Sequence, residues 1–106
     1  MNDMDLGHGH TARFFEWAPD RDLNPQYANM PDVPRAGLLV EHPMASAPGE
    51  MCKSAIHFDL PETRHLVSDR ARWQVESWEP LTLSPSLLCR RCGDHGFIRG
   101  GVWVPA

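Results

Sequence analysis

The sequence predicts a small, mainly β domain, α+β at most, that is stabilised by a zinc ion. Three observations carry this prediction: the chain has 106 residues, it contains 10 Pro and 8 Gly, and it has a Cys-x-x-Cys motif followed directly by glycine. The length limits the chain to a single domain, and the density of Pro and Gly leaves little room for long helices. With 42% apolar and 23% charged residues, the composition is that of a globular protein.

The N-terminal part of the chain is predicted to be loosely structured. We assign residues 1–11 to a flexible tail, because they are polar and include Gly7-His8-Gly9-His10, and residues 12–106 to one folded domain. The aromatic run Arg13–Trp17 is predicted as a strand or an anchoring turn. Four prolines between residues 18 and 35 then predict an ordered loop that lies over a sheet.

Two strands are predicted in the middle of the chain. Gly37–Val40 is a compact apolar run bounded by turn residues, and Pro43–Gly49 turns the chain. Cys52–Leu60 alternates in the manner of a half-buried strand, with Ile56 and Phe58 on the apolar side. This alternation places His57 on the opposite, polar side.

Shorter elements are predicted in the last part of the chain. Residues 61–68 fit one helical turn or an irregular connection, and residues 72–76 and 81–83 alternate as two strands or one bent strand. Ser84-Pro85 predicts a short helical or 3₁₀ turn over residues 84–88. Residues 97–104 predict a C-terminal β-hairpin, because Gly100-Gly101 supplies the positive φ that tight hairpin turns need.

The segment Cys89-Arg90-Arg91-Cys92-Gly93 is typical of a zinc knuckle. Two thiolates separated by two residues can turn around one ion, and the glycine permits the positive φ that lets backbone N–H groups point at the sulfurs. A redox pair is the alternative use of the motif, but that use is expected between a strand and a helix. Because tetrahedral zinc needs four ligands, we predict a structural Zn²⁺ site that consists of Cys52, Cys89, Cys92 and His95.

Other histidines and acids define the alternatives to this site. His57, five residues after Cys52, is the main competitor for the fourth position, whereas His42 and His65 have no such spacing and are interpreted as surface histidines. Four protein ligands would close the site and make it structural, which favours a protein that is not an enzyme. A zinc-dependent hydrolase would need an open position and a neighbouring acid, for which the nearest candidates are Asp94, Glu50 and Asp59. A metal-free protein with buried thiols is the remaining interpretation.

Charge and targeting signals restrict the partners and the compartment. The formal net charge is −4, and residues 1–62 hold ten acids and four bases while residues 63–106 hold six bases and four acids. A general polyanion binder is therefore excluded, and any weak nucleic-acid contact falls to Arg90, Arg91 and Arg99 with nearby aromatic rings. The sequence shows no signal peptide and no membrane span, and its three cysteines do not suit a disulfide framework, so we expect a cytoplasmic protein.

The C-terminal third also carries a resemblance. This part of the chain resembles a family of small uncharacterised proteins that are encoded mainly by phages of actinobacteria and by related prophages. The resemblance lies in the run Trp78–Cys89, followed by Cys92–Ile98 and Gly101–Trp103. Cys52 followed by Ile56–Asp59 is also similar to that family. The resemblance implies a phage origin and a metal site but no reaction. We therefore expect a zinc-binding, non-catalytic interaction module that binds a host or phage protein in the host cytoplasm. A virion-associated capsid or decoration protein and a zinc-dependent hydrolase are the alternatives.

Overall fold

The protein is built from β-strands. Its structure, a computed structural model, describes residues 3–63 and 72–106. Within these residues there is one 3₁₀ turn, Pro25–Tyr27, and no α-helix. The strands are β1 Met4–Gly7, β2 His10–Trp17, β3 Val33–Pro43, β4 Met51–Phe58, β5 Arg72–Trp78, β6 Leu81–Ser84, β7 Leu87–Leu88, β8 His95–Arg99 and β9 Val102–Pro105. The mainly β prediction is confirmed.

The larger sheet contains the first six strands in chain order, β1 to β6. All neighbours are antiparallel except β4 and β5, which are parallel and pair, in the part of the chain that the structure describes, at His57 and Phe58. The long β3–β4 pair has a continuous register in which Gly37 lies opposite His57 and His42 lies opposite Cys52. Because directly opposed residues share one face of a sheet, this register brings His42 and Cys52 side by side.

The smaller sheet has the order β7-β8-β9 and contains the predicted C-terminal hairpin. In that hairpin, Ile98 pairs with Trp103, and Gly100 and Gly101 both have positive φ. The β7–β8 connection contains the Cys-x-x-Cys motif, so the knuckle lies at the end of these two strands. The hairpin prediction is confirmed.

Apolar side chains from both sheets form one core. The alternation predicted for β4 is present, with Ile56 and Phe58 buried and His57 between them half-buried. Leu38 of β3 and Ile98 of β8 are completely buried as well, so both sheets contribute to the centre. The core residues are Leu6, Ala12, Leu38, Val40, Ile56, Phe58, Leu81, Leu83, Leu87, Ile98 and Trp103.

The N-terminal residues differ from the flexible tail that we predicted. Residues 4–7 form β1, and His10 and Thr11 begin β2, so the described part of the segment is a β-hairpin. Gly7 and Gly9 take positive φ together with His8, which gives the turn that connects the two strands. Burial of Leu6 in the core stabilises the hairpin against the rest of the domain, and the polar composition of the segment did not reveal this anchor.

Two further elements differ from the sequence predictions. β3 is longer than Gly37–Val40, because the flanking residues also pair with β2 and β4. Residues 84–88 do not form a helical turn; Leu87 and Leu88 instead pair with Gly96 and His95 as β7. In the predicted connection 61–68, the Thr63 N–H donates to the carbonyl oxygen of Leu60, and residues from 64 onward lie outside the described part.

Candidate metal centre

Three thiols and one imidazole meet where the knuckle of the smaller sheet contacts the larger sheet. The residues are His42 on β3, Cys52 on β4, and Cys89 and Cys92 of the knuckle, and their ligand atoms all lie within 4.8 Å of one another. His42, Cys52 and Cys92 are buried, and Cys89 is half-buried. None of the three cysteines forms a disulfide. The cluster therefore has the composition of a Cys₃His metal site.

The spacing of the donor atoms agrees with tetrahedral zinc. With a Zn–S distance of about 2.3 Å and a Zn–N distance of about 2.0 Å, the edges of the tetrahedron are about 3.8 Å between two sulfurs and about 3.5 Å between sulfur and nitrogen. The Sγ atoms of Cys52 and Cys89 are 3.8 Å apart, and Cys92 Sγ lies 3.4 Å from His42 Nε2. At these two edges the donor atoms are spaced as in a zinc tetrahedron, and the other four separations are at most 4.8 Å.

The β-hairpin between β3 and β4 positions two of the four ligands. Its connection is closed by the Met44 N–H, which donates to the carbonyl oxygen of Glu50 at 2.8 Å. The strands on either side then run in register through the pair His42 and Cys52. Since both residues lie on regular strands of the larger sheet, this half of the site is held by the backbone ladder.

The knuckle positions the other two ligands through its own backbone. The Gly93 N–H donates to the carbonyl oxygen of Cys89 at 2.7 Å, and the Cys89 N–H donates to the carbonyl oxygen of Asp94 at 2.8 Å. Gly93 has a φ of +86°, the conformation that its position after Cys92 predicted. The N–H groups of Arg91 and Cys92 point at the Cys89 sulfur. These hydrogen bonds favour the thiolate form of Cys89.

The thiols of the cluster differ in pKa because their hydrogen-bond donors and their neighbouring sulfurs differ. Burial raises the pKa of the Cys89 thiol, but hydrogen bonds from the Ser54 hydroxyl, the backbone N–H groups of Cys92 and Arg91, and His42 outweigh it and lower the pKa to about 6. Burial and the neighbouring sulfurs of Cys89 and Cys92 raise the pKa of the Cys52 thiol. One thiolate therefore forms readily and opposes the formation of the next. A divalent cation would relieve this repulsion.

His10 connects the N-terminal hairpin to the knuckle. Its Nδ1 donates to the carbonyl oxygen of His8 at 2.8 Å, and its Nε2 lies 2.7 Å from a carboxylate oxygen of Asp94. The ring stacks on Trp103 at 4.0 Å between centroids and lies 5.7 Å from the ring of His42. Asp94 in turn accepts the Cys89 N–H through its backbone, so this contact fixes the base of the knuckle.

The structure brings together three of the four predicted ligands. Cys52, Cys89 and Cys92 are in the cluster, whereas the exposed His95 points elsewhere, with its Nε2 3.0 Å from the Ser86 hydroxyl. His42 occupies the fourth position. The interpretation of His42 as a surface histidine is wrong, because this side chain is 2% exposed. A signal for it was present: His42 lies one residue before the predicted turn 43–49 and Cys52 lies three residues after it, near where opposed strand residues of a hairpin are found.

Among the described residues, none of the alternative ligands and acids belongs to the group of four donor atoms. His57 packs edge-on against Phe15 with ring centroids 5.3 Å apart, and His65 lies outside the described residues. Asp94 is paired with His10, and Asp59 accepts a hydrogen bond from the Gln74 amide. An open zinc site would use Asp94, Asp59 or Glu50 as its acid. In the described part of the chain, none of these three carboxylates belongs to the cluster of four metal-ligating side chains.

A cleft of about 280 Å³ opens directly beside the cluster. His42 and Cys89 form part of its wall, and Lys53, Arg90 and Arg91 line it as well. The third predicted arginine is elsewhere, since the Arg99 guanidinium lies 4.1 Å above the ring of Phe97, outside the cleft. The predicted cationic surface is therefore divided, and only the two knuckle arginines adjoin the candidate centre.

Comparison with known proteins finds no matching family model, no similar curated protein and no similar solved structure. The described residues contain no helix that is long and apolar enough to cross a membrane. The assignment of the site therefore rests on the geometry and chemistry of its own side chains.

Proposed function

We propose that the protein is a zinc-stabilised, non-catalytic interaction module. Zn²⁺ bound by His42, Cys52, Cys89 and Cys92 would connect the larger sheet to the knuckle of the smaller one. The observation that carries the proposal is the spacing of the four donor atoms, which matches a zinc tetrahedron at the Cys52–Cys89 and Cys92–His42 edges. Three soft thiolates with one imidazole also favour zinc over the hard cations Mg²⁺ and Ca²⁺.

A site with four protein ligands supports a structural role, because it leaves no coordination position for water or substrate. The ion would join residues that are 37 and 50 positions apart in the chain. Structural zinc sites contribute on the order of 10 kcal/mol to folding, which offsets the entropy cost of ordering such loops. In a domain of this size, that contribution is comparable to the whole stability of a typical fold.

The cellular setting that we propose is the cytoplasm of a phage-infected host, which follows from the resemblance of the C-terminal third to phage proteins. There the module would bind a host or phage protein through the surface beside the knuckle. A component of the virion is the competing role. Mass spectrometry of purified particles distinguishes the two, because detection of the protein in stoichiometric amount would contradict the cytoplasmic role.

Elemental analysis of the purified, reduced protein tests the metal centre. The expected result is one equivalent of zinc in the wild type and none in the Cys89→Ser variant. His57→Ala is the matched control, because it removes the competing histidine and should retain the zinc. A wild-type protein without metal, or loss of zinc in His57→Ala, would contradict the proposed site.

A further inference from the structure

The cleft beside the metal centre lies between two strand edges that have no neighbouring strand within residues 3–63 and 72–106. β4 pairs with β3 along almost its whole length but, within the described ranges, meets β5 only at His57 and Phe58. Among the described residues, the remaining edge of β4 is therefore open. β7 likewise pairs with β8 alone in the part of the chain that the structure covers. The cleft is lined by β4 through Lys53–Ile56 and by β7 through Leu87–Leu88.

The border of the cleft is cationic. Lys53 contacts Glu41 at 3.4 Å, but the exposed guanidinium groups of Arg90 and Arg91 form no ion pair with any described residue. The acid that lines the cleft, Asp94, is already paired with His10. A zinc ion with three thiolates would leave a single negative charge, which does not balance these cations. An acidic ligand would complement the charge of this border.

The cleft also offers apolar contact. The side chain of Leu88 is 52% exposed at its border, and the walls include Ile56, Trp73 and Leu87. An open strand edge with apolar pockets beside it is the kind of surface to which an extended peptide binds as an additional strand. Backbone hydrogen bonds then supply affinity, and alternate side chains of the peptide reach the pockets.

We propose that this cleft binds an extended acidic segment of a protein partner. The segment adds as a strand to the open edge of β4 and places its carboxylates against Arg90 and Arg91. This inference rests on the proposed function, because the metal centre fixes the knuckle that carries the two arginines. The partner segment is thus an acidic peptide that forms a strand.

The aromatic residues of the cleft favour a peptide over single-stranded nucleic acid. Base stacking requires an open ring face, and Trp103 is buried beneath the stacked ring of His10. Trp73 is held at the wall because its indole N–H donates to the carbonyl oxygen of Ser86 at 3.2 Å. A strand edge, in contrast, presents backbone donors and acceptors that another strand can pair with.

A selection of random linear dodecapeptides on the zinc-loaded protein tests the proposal. The enriched peptides are expected to be rich in Asp and Glu that alternate with β-branched or aromatic residues. Amide hydrogen exchange with the best peptide bound should show new protection in Lys53–Ile56. The double variant R90E/R91E should bind that peptide about tenfold more weakly, as expected for the reversal of two exposed charges, and R99E should bind it like the wild type.

Several results would overturn the inference. They are the failure of any peptide to be enriched, enrichment of basic peptides, protection confined to another part of the protein, or an equal loss of binding in R99E. Tighter binding of a dodecathymidylate than of the best peptide at physiological salt would identify a nucleic-acid site instead. Zinc is measured on every sample, so a metal-free wild type would contradict the proposed function, whereas a zinc-loaded wild type without peptide binding would contradict this inference alone.

Discussion

Replacement of the fourth ligand separates the site seen in the structure from the one that the sequence predicted. His42→Ala removes a ring that lies 3.4 Å from Cys92 Sγ and is 2% exposed. His95→Ala removes a ring that is exposed and contacts only the Ser86 hydroxyl among the polar side chains of the described residues. The first variant should therefore lose zinc affinity, and the second should retain it.

The size of the effect follows from the four-ligand geometry. Zinc binding to structural sites is worth about 10–16 kcal/mol, so one ligand of four accounts for about 2.5–4 kcal/mol, or about 60- to 700-fold in affinity. Loss of the buried ring itself would cost on the order of 2–5 kcal/mol of stability, the range of large-to-small core substitutions. For the surface residue His95, the expected change in stability is within about 0.5 kcal/mol.

A competition titration with a chromophoric zinc chelator measures these affinities, and circular dichroism checks the fold of each variant. His42→Cys is the rescue variant, because it supplies a fourth thiolate and should bind zinc where His42→Ala does not. Weakened zinc binding in His95→Ala together with unchanged binding in His42→Ala would refute the assignment of His42.

Three further predictions concern stability and acidity. Cys92→Ser should lose zinc, lower the melting temperature and expose the amides of β8 and β9 to hydrogen exchange, because the knuckle then loses its connection to the larger sheet; unchanged melting would reject a structural ion. In metal-free protein that circular dichroism shows to be folded, alkylation of Cys89 should have its midpoint near pH 6, since its pKa is lowered from 9.0 to about 6, and Ser54→Ala should move the midpoint upward. The stabilisation from this lowered pKa is complete above about pH 9 and is lost as the pH falls through about 6; a midpoint that stays near 9 contradicts this. Gly96→Ala should destabilise the protein by about 1–3 kcal/mol, because its Cβ would lie 2.5 Å from the Trp103 ring; an unchanged melting curve would contradict this packing.

The β-strands could be predicted where the alternation of apolar and polar residues and the residue types of the turns indicate the same element. β4 alternates along its length, and Gly100-Gly101 marks the C-terminal turn, so both were identified from local signals. The N-terminal hairpin and β7 could not be identified in this way. β1 is anchored by the burial of Leu6, and β7 has only two residues, so both depend on contacts with distant strands.

The ligands of the candidate site were also predictable only where a local sequence motif specifies them. The ligands of the knuckle follow from a local motif, because the spacing of Cys89, Cys92 and Gly93 determines how the backbone turns around the sulfurs. The choice of His42 over His95 depends on the register of the β3–β4 pair, which the sequence specifies only through the length of the connecting turn. His95 was chosen because it is near the knuckle in sequence, but its side chain lies on the outside of β8.

X-ray absorption at the zinc edge of the purified protein identifies the ligands of the ion directly. We expect one zinc ion with three sulfur ligands at about 2.3 Å and one nitrogen ligand at about 2.0 Å. The nitrogen ligand should persist in His95→Ala and be lost in His42→Ala. A shell of oxygen ligands, fewer than three sulfurs, or a nitrogen ligand that disappears with His95 would contradict the Cys₃His centre described above.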